Sequence, residues 1–200
     1  MQFALVVCLT LCALMSVFAS QCSKVFNNHV SDQDKRIIVD KHNEFRRLIA
    51  NGQVGGQPRG VNLKRMKYDD SLAAQAQDIA NTCEFAHKTV HDGRWFAVGQ
   101  NLYISYSTAY SPEAQWSEAI QAWFDEHKDY SFGSGFSSNT GHYTQLVWAE
   151  TEFVGCGYVN FATNDYWTYR RLYVCNYGPA GNIIGRVPYQ TGSSGCENLC

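Results

Sequence analysis

The stretch Gly141-His142-Tyr143-Thr144-Gln145-Leu146-Val147-Trp148-Ala149-Glu150-Thr151 decides the fold of this 200-residue sequence. Its Tyr, Thr, Leu, Val and Trp side chains are typical of β-strands, and the glycine before the histidine favours a turn. We therefore predict a strand over Tyr143–Trp148. A histidine at the head of that strand would be held by a rigid element and would face a cleft.

The first nineteen residues have the composition of a secretory signal. Val6 to Val17 is almost wholly apolar, no charged side chain precedes Lys24, and Val17-Phe18-Ala19 offers the small residues that signal peptidase reads. We predict a signal peptide over residues 1–19 and a secreted, extracellular mature protein. The alternative is a membrane anchor, but the apolar run is too short to span a bilayer comfortably, so we expect no membrane span.

Cleavage would leave an even number of cysteines. The six that remain are Cys22, Cys83, Cys156, Cys175, Cys196 and Cys200. An even count in an exported chain indicates three disulfides, whose pairing the count alone leaves open. No Cys-x-x-Cys pair occurs, which argues against a zinc ribbon or a thioredoxin-like redox site.

Charge and length bound the class of protein further. The formal net charge is −2, so no basic field favours nucleic acid or an anionic membrane. The mature length suits one compact domain with a sizeable core.

Two amphipathic helices are predicted in the first half of the chain. One begins at Ser31 and runs to about Asn51. The other begins near Asp70 and ends at His87. Its apolar stripe consists of Leu72, Ala76, Ile79, Cys83 and Ala86.

A third helix and two further strands follow. Ser111-Pro112-Glu113 has a capping residue, a first-turn proline and an acid, which together predict a helix start. Its continuing face is Trp116, Ile120, Trp123 and His127. Strands are predicted over Val154–Phe161 and Arg171–Tyr177 as a hairpin. Helices first and strands second, in one domain, indicate an α+β fold with helices covering an antiparallel sheet.

His87, His142 and Glu126 are the candidate chemical groups. Imidazoles and carboxylates are usual zinc or copper ligands, but the histidines are far apart in sequence and form no His-x-x-x-His pair. The plain alternative is two histidines that are hydrogen-bonded at the ends of a helix and a strand. No Gly-x-Ser-x-Gly elbow occurs, and paired cysteines would not be nucleophiles.

Aromatic residues recur in the periodic segments, where packing in the core is the default interpretation. The alternative is a groove between helices that takes a hydrophobic ligand. The aromatic residues concerned are Trp116, Trp123, Trp148, Tyr158 and Tyr173.

Two long motifs resemble the signatures of a known family. The run from Gly141 resembles the first signature of the CAP superfamily, which comprises cysteine-rich secretory proteins, antigen-five venom allergens and plant pathogenesis-related proteins. Leu172-Tyr173-Val174-Cys175-Asn176-Tyr177-Gly178-Pro179-Ala180-Gly181-Asn182-Ile183 resembles the second signature. The resemblance begins at the helix with Asp40-Lys41-His42-Asn43-Glu44-Phe45-Arg46. It implies a CAP domain over residues 20–184 and a C-terminal extension with a cysteine pair over 185–200.

Three shorter segments resemble the insect antigen-five group within that superfamily. They are Val98-Gly99-Gln100-Asn101-Leu102, Trp123-Phe124-Asp125-Glu126-His127-Lys128-Asp129-Tyr130 and Val154-Gly155-Cys156-Gly157-Tyr158.

The resemblance implies a three-layer α-β-α sandwich whose central cleft carries two histidines and two acids. Those positions are His87, His142, Glu126 and Gln100 here, so an amide replaces one acid. A neutral amide attracts a metal less strongly and cannot act as a base. The family also implies the pairings Cys22–Cys83 and Cys156–Cys175, which leaves Cys196–Cys200.

Three functions follow as expectations from this resemblance. The first is a secreted, non-enzymatic protein with a host-modulating or defence role. It would bind a fatty acid, eicosanoid or sterol, and Zn²⁺ or Cu²⁺ in its cleft, with no cofactor required. The second is a metal-dependent enzyme, either a hydrolase or a copper-dependent superoxide scavenger. The third is a toxin that acts on an unknown protein receptor.

Overall fold

The computed structural model describes residues 22–200, so the predicted signal peptide lies outside the described residues. The helices are α1 (Asp32–Ala50), α2 (Asp70–Ala80), α3 (Trp116–Asp125) and α4 (Gly141–Leu146). The strands are β1 (Lys24–Asn27), β2 (Lys67–Tyr68), β3 (Gly99–Ser107), β4 (Phe153–Ala162) and β5 (Tyr169–Gly178). A short 3₁₀ turn, Glu126–Lys128, follows α3.

One sheet forms the centre of the molecule, and helices cover both of its faces. Its main strands lie in the order β1-β4-β5-β3, all antiparallel, and β2 adds a short parallel pairing to β4. Helix α2 packs on the face that presents Phe161, Leu172 and Val174. Helices α1, α3 and α4 pack on the opposite face, over Tyr158 and Tyr173. The α+β class and the predicted hairpin of two strands are thus confirmed.

Helix α1 begins and ends where the sequence predicts. The Ser31 side chain accepts the Asp34 N–H while the Asp34 carboxylate accepts the Ser31 N–H, a reciprocal capping box that satisfies the first turn. Ile38 and Ile49 are fully buried on its inner face. Local signals therefore define this helix without help from distant residues.

Helix α2 is shorter than predicted. It ends at Ala80, and Cys83 takes a positive φ of 57°, a left-handed conformation that stops the helix. The stripe of Leu72, Ala76 and Ile79 is buried as expected, but His87 lies in the loop beyond the helix.

The packing of α2 on β4 depends on Gly157. A Cβ added there would overlap the backbone nitrogen of Gln77 in α2. The absence of a side chain lets the helix backbone lie directly on the strand.

The predicted start of α3 at Ser111-Pro112-Glu113 is wrong, because the helix begins at Trp116. Side chains of the sheet hold the preceding segment, which we call the strap (Ser111–Gln115). Asn160 Nδ2 donates to Ser111 O at 2.8 Å, Arg171 Nη1 donates to Glu113 O at 3.0 Å, and the Gln115 N–H donates to Tyr173 Oη at 2.9 Å. These three hydrogen bonds engage backbone groups of the strap near the predicted start of the helix.

The predicted strand over Tyr143–Trp148 is also wrong, because that run forms α4. Two charged side chains, the partly buried Glu126 and the fully buried Arg46, hold the two ends of this six-residue helix. Glu126 Oε2 accepts the backbone N–H groups of His142 and Tyr143 at 3.0 Å, and Arg46 Nη1 donates to Leu146 O at 3.0 Å. Opposite charges at the two ends complement the helix dipole and outweigh the β propensity of the sequence.

The structure joins the six cysteines as Cys22–Cys83, Cys156–Cys175 and Cys196–Cys200. Over residues 22–200, none of the helices has the length and apolar character needed to cross a membrane.

Candidate functional site

His142 lies at the first turn of α4 and is held there by Glu126. The imidazole Nδ1 and Glu126 Oε1 are 2.6 Å apart, so Nδ1–H donates to the carboxylate. The Trp123 ring stacks against the imidazole with centroids 6.2 Å apart. Glu126 therefore accepts three hydrogen bonds from α4, one from this side chain and two from the backbone, which orients His142 and leaves its Nε2 for other contacts.

Arg46 fixes the other end of α4. It is fully buried, and its guanidinium donates to five backbone carbonyls, at 2.8 to 3.2 Å. Those carbonyls belong to Lys64, Leu146, Trp148, Ala149 and Thr151. Burial lowers the pKa of Arg46 to about 9, so the side chain is still protonated at neutral pH.

His87 forms a separate pair with Gln100 on β3. The imidazole Nδ1 donates to Gln100 Oε1 at 2.9 Å, and Gln100 Nε2 donates to Asn176 Oδ1 at 2.9 Å. The second bond fixes the orientation of the amide, so its oxygen faces His87. His87 thus also keeps its Nε2 for other contacts.

The His87–Gln100 pair lines an open cleft of about 440 Å³. Val90, Phe96 and Val98 contribute apolar surface to it, and the Phe96 ring is fully exposed. His142 and Glu126 do not line this cleft. The two pairs are connected through β3, where Asn101 follows Gln100 and its Nδ2 donates to His142 O at 3.0 Å.

The two pairs fit a metal ion only in part. Between residues 22 and 200, no three His, Cys, Asp or Glu side chains are grouped closely enough to hold one. Glu126 uses both oxygens on α4, and the Gln100 oxygen is committed to His87. The available donors are therefore two imidazole Nε2 atoms, with the amide and carboxylate as orienting partners.

A third histidine, His42, is fully buried, and it lies in a motif that carries the family resemblance. Its Nδ1–H donates to Ile38 O at 2.7 Å, and its Nε2 accepts from Tyr177 Oη at 2.9 Å. Asn101 Nδ2 in turn donates to Tyr177 Oη at 3.3 Å. Burial lowers the pKa of His42 to about 4, so the ring is neutral and its bonds link α1 to the strand beside His142. The motif from Asp40 to Arg46 was the sequence feature that could have identified His42 as a candidate.

A second candidate site lies between the N-terminal end of α1 and the strap. This groove has a volume of about 470 Å³, and its lining includes Ser31, Asp34, Ile37, Pro112 and Ala114. From the sequence, a groove between helices was only the alternative to packing of the aromatic residues in the core, and it had no location.

Within residues 22–200, two polar atoms next to the strap have no hydrogen-bond partner. They are Trp116 Nε1 and Tyr158 Oη, and their residues are 1% and 0% exposed. Both rings pack against Tyr173, whose hydroxyl holds the strap, with centroids 5.0 Å away. Buried polar groups are almost always paired, so two such atoms in one aromatic cluster require an explanation.

Comparison with known proteins finds a family profile and individual relatives that agree with each other. The profile of the cysteine-rich secretory protein family (CAP) matches residues 39–177. A salivary antigen-5 of Dipetalogaster maximus is 38% identical over 211 residues, which cover 98% of this chain and 84% of that protein. Venom allergen 5 of Vespula flavopilosa is 40% identical over 171 residues, which cover 81% and 82% respectively.

Solved structures of similar shape agree with these relatives. NaASP2, crystallised with Zn²⁺, superposes with a TM-score of 0.69 at 28% identity, covering 86% of this chain and 96% of that one. BmVAL-1 superposes with a TM-score of 0.68 at 27% identity, covering 82% and 85%.

Proposed function

This chain belongs to the cysteine-rich secretory protein (CAP) family, and from that premise we propose that it is a secreted, non-enzymatic protein of the antigen-five and venom-allergen type that binds a small hydrophobic ligand. Secretion is supported by the three disulfides and by the predicted signal at residues 1–19. The salivary and venom origin of the relatives supports a host-modulating or defence role.

The observation that carries the ligand proposal is the pair of unpartnered atoms, Trp116 Nε1 and Tyr158 Oη. Each such atom costs about 1–3 kcal/mol when it is desolvated without a partner. An amphipathic ligand that entered from the groove would offer its polar group to these atoms and its apolar part to Ile37 and the aromatic rings. Binding would then remove the free-energy penalty of these two unpaired groups in the unliganded protein.

Displacement titrations with a fluorescent fatty acid and a fluorescent sterol test this proposal. The variant Ala114→Trp fills the groove, and Ala97→Trp, as the matched control, fills the cleft at His87. We expect saturable binding that Ala114→Trp weakens at least about tenfold, a loss of about 1.4 kcal/mol, while Ala97→Trp leaves it unchanged. The proposal fails if neither probe binds, and the groove is wrongly assigned if only Ala97→Trp weakens binding.

A weak divalent metal site is the second candidate function. It is favoured by the two oriented imidazoles of His87 and His142, each with Nδ1 engaged and Nε2 available. These Nε2 atoms would hold Zn²⁺ or Cu²⁺, and the bound ion would supply a Lewis acid or, as copper, a redox centre. Gln100 and Glu126 would orient the rings. The proposed metal site thus combines His87 and Gln100, which line the cleft, with His142 and Glu126, which lie outside its lining.

Calorimetric titration with Zn²⁺ and Cu²⁺ tests the metal site. We expect weak one-to-one binding that disappears in His142→Ala and in His87→Ala. It should persist in the control His29→Ala, because His29 lines the groove beside the strap and not the cleft. A superoxide-scavenging or hydrolytic activity that survives loss of both cleft histidines would show that no enzyme function resides there. Equal binding in all variants would remove the metal proposal.

A further inference from the structure

Three cations lie close together in a short segment before α2, which we call the basic segment (residues 63–67). The side chains of Lys64, Arg65 and Lys67 are exposed, whereas Leu63 and Met66 are 0% and 1% exposed. The two buried side chains anchor the segment in the core, and the three cations line one surface pocket of about 520 Å³. Because the whole chain has a net charge of −2, any attraction of an anion must come from such a local cluster.

Buried side chains of α1 hold the backbone of the basic segment in place. Arg46 Nε donates to Lys64 O at 2.8 Å. The Asn43 side chain accepts the Met66 N–H at 2.8 Å and donates to Met66 O at 2.9 Å. The cations therefore project from a fixed backbone, which lowers the entropy cost of binding a partner.

Neighbouring groups also orient the cationic side chains. Glu152 lies between the two lysines, with its oxygens 2.9 Å from Lys67 Nζ and 3.7 Å from Lys64 Nζ. Arg65 Nη2 donates to Asn198 O in the C-terminal extension at 2.7 Å. A guanidinium has five N–H donors, so this bond leaves most of the Arg65 donors for a ligand.

Positive charge exceeds negative charge around the basic segment. Lys67 is the main cause of the lowered pKa of Glu152, which is thus ionised at neutral pH. Glu150 also interacts with Lys64, but it already pairs with Arg186 at 2.6 Å. Four cations and two carboxylates therefore leave a net charge of +2, which suits a partner with several negative groups.

The chemistry of the patch favours one class of polyanion. Among the described residues that line the pocket, none is aromatic, so the patch lacks the stacking surface that single-stranded nucleic acids use. The exposed large hydrophobic side chains of residues 22–200 lie outside the basic segment, which therefore offers no apolar anchor for a bilayer. The disulfides and the family of the chain place it among secretory proteins, and the abundant polyanions outside cells are sulfated polysaccharides.

We propose that the basic segment binds a sulfated polysaccharide, whose sulfate groups pair with Lys64, Arg65 and Lys67. Arg65 would bind a sulfate through two parallel N–H groups, and the lysines would act as point charges. Glu152 opposes the ligand and limits its affinity. This surface shares no lining residue with the groove beside the strap or with the cleft at His87, so the inference does not depend on the proposed function.

Fluorescence anisotropy with a labelled heparin oligosaccharide, over a series of NaCl concentrations, tests the proposal. We expect the logarithm of the association constant to fall with the logarithm of salt concentration, with a slope of roughly −2 to −3. Three ionic contacts would each release somewhat less than one counterion, as phosphate contacts do in nucleic acids. The triple variant Lys64→Gln, Arg65→Gln and Lys67→Gln should bind at least about tenfold more weakly, a loss of about 1.4 kcal/mol.

A second triple variant removes the same charge elsewhere. Lys24→Gln, Lys88→Gln and Lys128→Gln change exposed lysines on β1, in the loop after α2 and in the 3₁₀ turn. This control should bind heparin within about threefold of wild type. Thermal denaturation of both triple variants checks that they fold, since surface substitutions of this kind usually change stability little.

Glu152→Gln is the most specific test, because it predicts a gain. Removal of the carboxylate between Lys64 and Lys67 should tighten heparin binding at least about threefold. Unchanged or weaker binding would mean that the polyanion does not meet the lysines that face Glu152, which contradicts the proposed site.

The remaining outcomes identify the class of partner. Desulfated heparin should not bind, and inorganic sulfate should compete no better than NaCl of equal ionic strength. The proposal is overturned if wild type does not bind heparin, if the first triple variant binds like wild type, or if single-stranded RNA or phosphatidylserine vesicles bind as tightly as heparin. Ala114→Trp should leave heparin binding unchanged, so failure of the groove proposal and failure of this one are distinguishable.

Discussion

The replacement Arg46→Met tests whether a buried cation that donates to five backbone carbonyls holds the core together. The substitution keeps much of the side-chain length and apolar contact but removes every N–H donor. It leaves the carbonyls of Leu146, Trp148 and Thr151 without the guanidinium that they face. Ala149 O retains a bond from the Lys64 N–H.

The structure sets the size of the expected effect. Removal of one side of a buried charged interaction costs about 3–5 kcal/mol, because the remaining groups stay desolvated. Transfer of the guanidinium back to water offsets part of the five lost hydrogen bonds, so a simple sum of bond energies would be too large. For a domain of this size, that loss corresponds to a decrease in Tm of roughly 6–20 °C.

Circular dichroism during thermal and urea denaturation measures this loss, and Arg36→Met on the exposed face of α1 is the control. The control should change the free energy of unfolding by less than about 0.5 kcal/mol. Amide exchange should show the greatest loss of protection in α4, since Arg46 holds its C-terminal end. An unchanged or increased Tm in Arg46→Met would refute the reasoning, because it would mean that desolvation of the cation outweighs its bonds.

Three further predictions concern α4, the buried histidine and the helix–sheet contact. Glu126→Gln should lower the free energy of unfolding by about 1–2 kcal/mol in urea denaturation, since a neutral amide complements the α4 dipole less well. The lowered pKa of His42 means that the unfolded state binds a proton first as pH falls. Its contribution is present in full above about pH 6.5 and is lost by about pH 4, up to about 3 kcal/mol, and His42→Gln should flatten that dependence. Gly157→Ala should cost several kcal/mol, about 3 or more, because the new methyl group meets the α2 backbone.

Each of these predictions has a matched control. Glu118→Gln removes a carboxylate of α3 that contacts Tyr103, and it should leave α4 protected from exchange. His91→Gln changes an exposed histidine, and a pH profile that it flattens as much as His42→Gln does would contradict the assignment. Gly93→Ala adds a methyl group in open space; equal losses from both glycine variants would mean that helix contact is not the cause.

The parts of the fold that local sequence determines were predicted correctly. Helix α1 was predicted because its cap and its apolar spacing lie within the segment itself. Helix α4 was not, because Glu126 and Arg46 hold it from 16 and 100 residues away. The start of α3 was wrong for the same reason, since sheet side chains far along the sequence hold the strap. Propensity describes a segment alone, and these two segments take their conformation from their surroundings.

The candidate sites were also predicted only in part. His87, Gln100, Glu126 and His142 were named from motifs, and the structure places them as two hydrogen-bonded pairs. The groove between α1 and the strap could not be located from the sequence. It depends on the register of β4 against β5 and on a strap that crosses them, and neither can be derived from the residues one by one.

The dependence of α4 on distant charges also has a consequence for antibody recognition of this protein. Six residues are too few to form a helix alone in water, so a synthetic peptide of the run from Gly141 to Thr151 would be largely unstructured. In the folded protein, Tyr143 to Ala149 is almost completely enclosed. Antibodies raised against such a peptide should therefore recognise the denatured chain on a blot and bind poorly to the native protein. The segment that relates this chain most clearly to its relatives would then be a poor basis for antibody cross-reactivity between the folded molecules.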